Sequence, residues 1–116
     1  MSCGRTDLPY ISNGVATIHQ VTVDLDGTIA QGVWPVRRQI GEPISEGVAI
    51  LKHYAELGYS ICIYTARPWG DAPLIWEWVY KHDLPVDKVW CEKPPASLYI
   101  DDRAYNPWGM KKGRKK

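Results

Sequence analysis

Apolar and polar residues alternate along this chain at two different periods. Residues 21–24, preceded by Ile18, form a short β-branched run suited to a buried strand. Apolar positions 44, 48, 51 and 54/55 recur at helical spacing, with Pro43 near the start and Gly58 just past the end. That pattern predicts an amphipathic helix over 44–57. Residues 59–65 (YSICIYT) predict a second strand, in which Ile61, Cys62 and Ile63 are continuous enough for burial on both faces. A second helix is expected from Asp71, as its cap, to about His82, with Leu74, Ile75, Trp78 and Val79 on one side. Short strands follow at 88–91 and 97–100, the last ending in Asp101-Asp102. Gly, Pro and Arg between 32 and 43 predict a loop or small hairpin, and residues 1–17 read as a loose leader. Strand–helix–strand–helix–strand–strand, with helical crossovers, predicts an α/β fold with a parallel sheet.

Composition narrows this picture. A length of 116 residues suits one domain, and 45% apolar residues suit a packed globule. The net charge of +1 hides an asymmetry: five positive charges fall within 111–116, leaving the rest of the chain at −4. The body is mildly acidic and the tail basic, which fits a solvated appendage or a weak nucleic-acid contact by charge. Three cysteines (Cys3, Cys62, Cys91) without CxxC spacing point to reduced thiols in a cytoplasmic protein, not to a disulfide framework or a zinc site. No segment has the length of a signal peptide core or a membrane span. The absence of G-x-S-x-G, P-loop and G-x-G-x-x-G patterns removes the usual hydrolase, kinase and dinucleotide alternatives.

The chemistry gathers at the predicted strand ends, where ligands collect in open parallel sheets. Asp24 and Asp26, Thr65 and Arg67, Lys93, and Asp101 and Asp102 would share one rim. Four carboxylates in one place raise one another's pKa, and a hard cation such as Mg²⁺ resolves that conflict. A lysine beside them suits a phosphate oxygen. Read as a calcium loop, D-L-D-G fails, because positions six and twelve hold Ile29 and Pro35. Thr65 or Lys93 alone would be an ordinary strand or surface residue; their company gives them meaning. His19, His53 and His82 show no ligand spacing.

V-D-L-D-G-T-I at 23–29, Y-T-A-R at 64–67, K-P at 93–94 and Y-I-D-D at 99–102 resemble, in order, the four motifs of the haloacid dehalogenase superfamily. The resemblance implies a three-layer Rossmann-like sheet with helices on both faces, over residues 18–108, between a leader at 1–17 and a basic tail at 109–116. It implies a Mg²⁺-dependent phosphomonoester hydrolase. Asp24 would be the nucleophile that becomes an aspartyl phosphate, and Asp26 the general acid, then base. Thr65 and Lys93 would hold the phosphoryl oxygens; the Asp24 carboxylate, the Asp26 backbone carbonyl and Asp101 would hold the metal, with Asp102 assisting directly or through water. Connections of this length leave no room for a cap domain, so the expected site is open, shielded by a flap at 32–43 or by a partner subunit in a homo-oligomer. Arg67, Arg37 and Arg38, with Trp34, Trp69 and Trp108, are candidate substrate contacts, although packing against the flap or a subunit interface is the favoured role for the tryptophans. A nucleotide, a polynucleotide 3′-phosphate and a sugar phosphate remain open as substrates. The alternative is a catalytically silent phosphate- or nucleic-acid-binding accessory protein.

Overall fold

The computed structural model describes residues 10–12, 15–17, 19–32 and 39–107. Two short strands, β1 (Tyr10–Ser12) and β2 (Val15–Thr17), pair antiparallel with Ser12 opposite Val15. The leader was expected to be loose. Its pairing has a sequence cause: the residues between Ser12 and Val15 are Asn13 and Gly14, the dipeptide most favoured for two-residue hairpin connections.

The main sheet holds β3 (Gln20–Val23), β4 (Ser60–Tyr64) and β5 (Lys88–Trp90) in the order β3-β4-β5, all parallel. Helix α1 (Ser45–Glu56) crosses from β3 to β4, and α2 (Ala72–Lys81), entered through a 3₁₀ turn at Trp69–Asp71, crosses from β4 to β5. This is an α/β unit of small Rossmann-like type, the class that the residue pattern predicts. No helix among the described residues is long and apolar enough to cross a membrane.

Register places Val21 beside Ile61, and Val23 beside Ile63, which in turn neighbours Val89. Neighbours in register share a face, and this face is the core. Ile61, Ile63 and Val89 bury there with Leu51 of α1, Ile75, Trp78 and Val79 of α2, and Leu25 and Ile29 from the loop after β3. Both helices contribute to this one core, Leu51 from α1 and Ile75 from α2. Thr22, Cys62, Lys88, Tyr64 and Trp90 alternate onto the opposite face, where Trp90 is 56% exposed. Cys62 and Cys91 are both buried and outside any disulfide. Burial pushes the Cys62 thiol up to about 11 and raises that of Cys91.

The expected strand at 97–100 does not form. Leu98, Tyr99 and Ile100 are exposed, Ile100 at 92%. Only residues 91–96 separate β5 from Ser97, whereas a parallel strand needs a crossover of about a dozen residues or more to return to the start of the sheet. Pro94 and Pro95 also occupy that link.

Helix α1 lies hard against the loop after β3. A Cβ on Gly47 would come within 1.8 Å of the Thr28 carbonyl oxygen, which is backbone and cannot swing aside. Gly47→Ala is expected to cost about 3 kcal/mol, the upper part of the range for overpacking. Urea denaturation measures it, and a loss under about 0.5 kcal/mol would contradict the close approach.

Candidate active site

Asp24 is the first residue past β3. Leu25 after it is 0% exposed, and its carbonyl oxygen accepts from the amides of Thr28, Ile29 and Ala30 at 3.0–3.2 Å. The apolar Leu25 and Ile29 are thus buried anchors that set Asp24 and Asp26 at the rim. Gly27 turns the loop with φ +86°, a conformation that costs a side-chain-bearing residue energy. The Thr28 hydroxyl donates to Asp24 Oδ2 at 3.5 Å.

Lys93 reaches this carboxylate by a continuation of the β4–β5 pairing beyond the strands. The Thr65 amide donates to the Trp90 carbonyl at 2.9 Å, the Lys93 amide to Thr65 at 2.9 Å, and the Glu92 amide to Arg67 at 2.8 Å. Lys93 Nζ then stands 3.8 Å from Asp24 Oδ1, and also 4.4 Å and 5.3 Å from the ring centres of Tyr99 and Tyr64. Burial pushes the Asp24 carboxyl above the ordinary carboxylate value. Lys93 opposes that rise, together with the Leu25 amide and the Thr28 hydroxyl, while the neighbouring Asp26 adds to it. Thr65 is buried, and its hydroxyl accepts from the Arg67 amide at 3.2 Å, which leaves its own hydrogen available to donate.

Arg67 has a different place from the substrate contact expected of it. Its side chain is wholly buried and forks onto Asp26, Nε to Oδ2 and Nη2 to Oδ1, both at 2.9 Å. Nη1 reaches Asp71 Oδ2 at 3.3 Å, and Nη2 also donates to the Gln39 carbonyl at 3.0 Å. Burial works against the guanidinium charge, but Asp26 and Asp71 outweigh it and hold its pKa above the usual arginine value. Asp71 stands at the N-cap position of α2 without a side-chain cap hydrogen bond; its carboxylate serves Arg67 instead. With Trp78 Nε1 donating to the Gly41 carbonyl at 3.0 Å, Arg67 also fastens residues 39–41, the near end of the expected flap.

Four expected site residues therefore come together: Asp24, Asp26, Thr65 and Lys93. Asp101 and Asp102 do not join them. Both are exposed, and Asp101 Oδ1 accepts from the Arg103 amide at 2.9 Å. Mg²⁺ seeks octahedral oxygen coordination, yet no three acidic, His or Cys side chains converge among the described residues, and two of the expected ligands, Asp101 and Asp102, stand exposed. As placed, the expected ligand set does not fit the ion. Trp69 is 44% exposed and meets Trp90 edge-on at 5.6 Å. Trp34, Arg37, Arg38, Trp108 and the basic tail lie outside the described residues.

Four participants escaped the reading of the sequence as site residues. Thr28 lay inside the quoted motif, four residues past Asp24, and that spacing was its signal. Asp71 was read as a helix cap, and its spacing of four residues after Arg67 was the unused signal. Tyr64 and Tyr99 sit inside quoted motifs, and no pattern marks their approach to Lys93.

No protein-family model matches the chain, and no curated protein does. Two solved structures resemble it. A structural-genomics target from Vibrio cholerae is 31% identical, with a TM-score of 0.67 over 83% of this chain and 94% of that one. A conserved protein from Bacteroides thetaiotaomicron is 27% identical, with a TM-score of 0.53 over 78% of this chain and 79% of that one. The chain belongs to the same family as the Vibrio cholerae protein.

Proposed function

We propose that this site hydrolyses phosphomonoesters through a covalent phosphoryl intermediate on Asp24. The observation that carries the reading is Lys93 Nζ at 3.8 Å from Asp24 Oδ1, across the ends of the three sheet strands, which also present Thr65 and Asp26. An Asp24 oxygen attacks phosphorus, the bond to the ester oxygen breaks, and Asp26 gives that oxygen a proton. Water then loses a proton to Asp26 and attacks phosphorus, and the bond to Asp24 breaks to release inorganic phosphate. Lys93 and the Thr65 hydroxyl hold phosphoryl oxygens as charge redistributes. Asp24, Asp26 and Asp71 against Lys93 and Arg67 leave one net negative charge, which disfavours a phosphate dianion. Because the acids do not fit Mg²⁺ as placed, the ion would supply the missing positive charge only once Asp101 or Asp102 had moved in beside Asp24.

A second reading has its own support. Asp26 must free an oxygen from the Arg67 fork before it can carry a proton, and Asp101 and Asp102 stand apart. A site that binds phosphate without turnover is consistent with both facts.

Incubation with 4-nitrophenyl phosphate and Mg²⁺ separates the two. Equal amounts of nitrophenol and inorganic phosphate are expected, and excess chelator is expected to stop their release. Inorganic phosphate that binds, with no release from any aryl, sugar or nucleotide 3′-phosphate, would replace the hydrolase with the silent binder.

A further inference from the structure

The face of the sheet opposite the helices carries a row of rings that starts at the candidate site. Tyr64 and Trp90 are direct partners in register, so their side chains share that face. Val23 pairs with Ile63, so Asp24 falls next to Tyr64 in the same cross-strand row. Lys93 ties the row to the site, since its ammonium lies 3.8 Å from Asp24 and within 5.3 Å of the Tyr64 ring centre. The Tyr99 ring centre also lies 4.4 Å from that ammonium, and Trp69 meets Trp90 edge-on at 5.6 Å.

Packing does not account for these rings. Trp90 keeps 56% of its exposure, Tyr99 47% and Trp69 44%, although aromatic rings are the side chains with most to gain from burial. None belongs to the core cluster or its fringe, which is gathered entirely around the helical side. Exposed rings continuous with a cationic anion holder match one ligand chemistry: a phosphate ester whose organic part carries a planar ring.

We propose that Tyr64, Trp90 and Trp69 form a stacking subsite for a planar aromatic or heteroaromatic group, while Lys93 holds its phosphate. This deepens the phosphomonoesterase reading and rests on it for the phosphate end alone. A sugar phosphate without a ring of this kind would leave the platform unused. A nucleobase meets the requirement, whether on a free nucleotide or at the end of a strand.

The test is binding in excess chelator, where no turnover is expected, followed by tryptophan fluorescence and calorimetry. The probes are adenosine 3′-monophosphate, adenosine, glycerol 1-phosphate and inorganic phosphate. Stacking is worth about 1–3 kcal/mol per base, so the nucleotide is expected to bind about 5- to 150-fold more tightly than glycerol 1-phosphate. Trp90→Ala changes an exposed side chain, and it is expected to erase that advantage while leaving glycerol 1-phosphate and inorganic phosphate unaffected. Equal affinity for the two esters, or a Trp90→Ala loss shared by both, would overturn the subsite and leave the hydrolase reading intact. Adenosine binding that Trp90→Ala abolishes, with no phosphate compound bound through Lys93, would keep the platform and remove the hydrolase reading. A short oligonucleotide ending in a 3′-phosphate distinguishes the sources: tighter binding than the mononucleotide points to a strand end, equal binding to a free nucleotide.

Discussion

Asp24→Asn is expected to remove phosphate release altogether, by at least about 10⁴-fold in kcat, because an amide oxygen cannot form the covalent intermediate. Binding of inorganic phosphate should survive, since Lys93 and Thr65 are untouched. The same change should make the metal-free protein more stable at neutral pH. Burial raises the folded-state pKa of Asp24 above its unfolded value, so the folded chain binds that proton more tightly than the unfolded chain does. Stability from this group is therefore present at low pH and declines as pH rises through the interval between the two values. Asparagine never ionises and escapes the decline. Thermal melts in chelator should show the variant ahead at pH 7, with its lead shrinking as the pH falls through that interval and gone below the unfolded carboxylate value. Substantial hydrolysis by Asp24→Asn would defeat the covalent route.

Arg67→Ala is expected to be the most destabilising single change at the site. It leaves Asp26 facing the void of a fork and strips Asp71, itself 1% exposed, of its cation, while residues 39–41 lose the hydrogen bond to the Gln39 carbonyl and keep that of Trp78 and the packing of Ile40. Removing one partner of a buried ion pair costs about 3–5 kcal/mol, which for a domain of this size lowers the melting temperature by more than about 10 °C. Arg67→Lys keeps the charge but cannot bond both Asp26 oxygens at once, so it should fall between the two. A loss below about 1 kcal/mol for Arg67→Ala would mean that the triad contributes little to the fold.

Much of the fold was legible because its signals are local. Leu51 and Val48 repeat at helical spacing, and α1 spans Ser45–Glu56 within the expected 44–57. The unbroken Ile61, Cys62 and Ile63 announced a strand buried on both faces, and β4 is that strand. The fourth strand was misread because β-branched composition at 97–100 says nothing about the distance the chain must travel to pair. Asn13-Gly14 was a local signal that went unused. For the site, Asp24, Asp26, Thr65 and Lys93 were legible because strand ends can be counted along the chain. The role of Arg67 was not, since whether a guanidinium faces solvent or a buried acid depends on tertiary packing. A buried arginine has no sequence mark distinct from an exposed one.

The contact between Gly47 and Thr28 has a mechanical consequence. With no slack between helix and loop, and with Thr28 bonded to Asp24, the attacking carboxylate has its direction fixed when the chain folds. An arriving ester would meet an oxygen already aimed, and little of its binding energy would go into reorganising the protein.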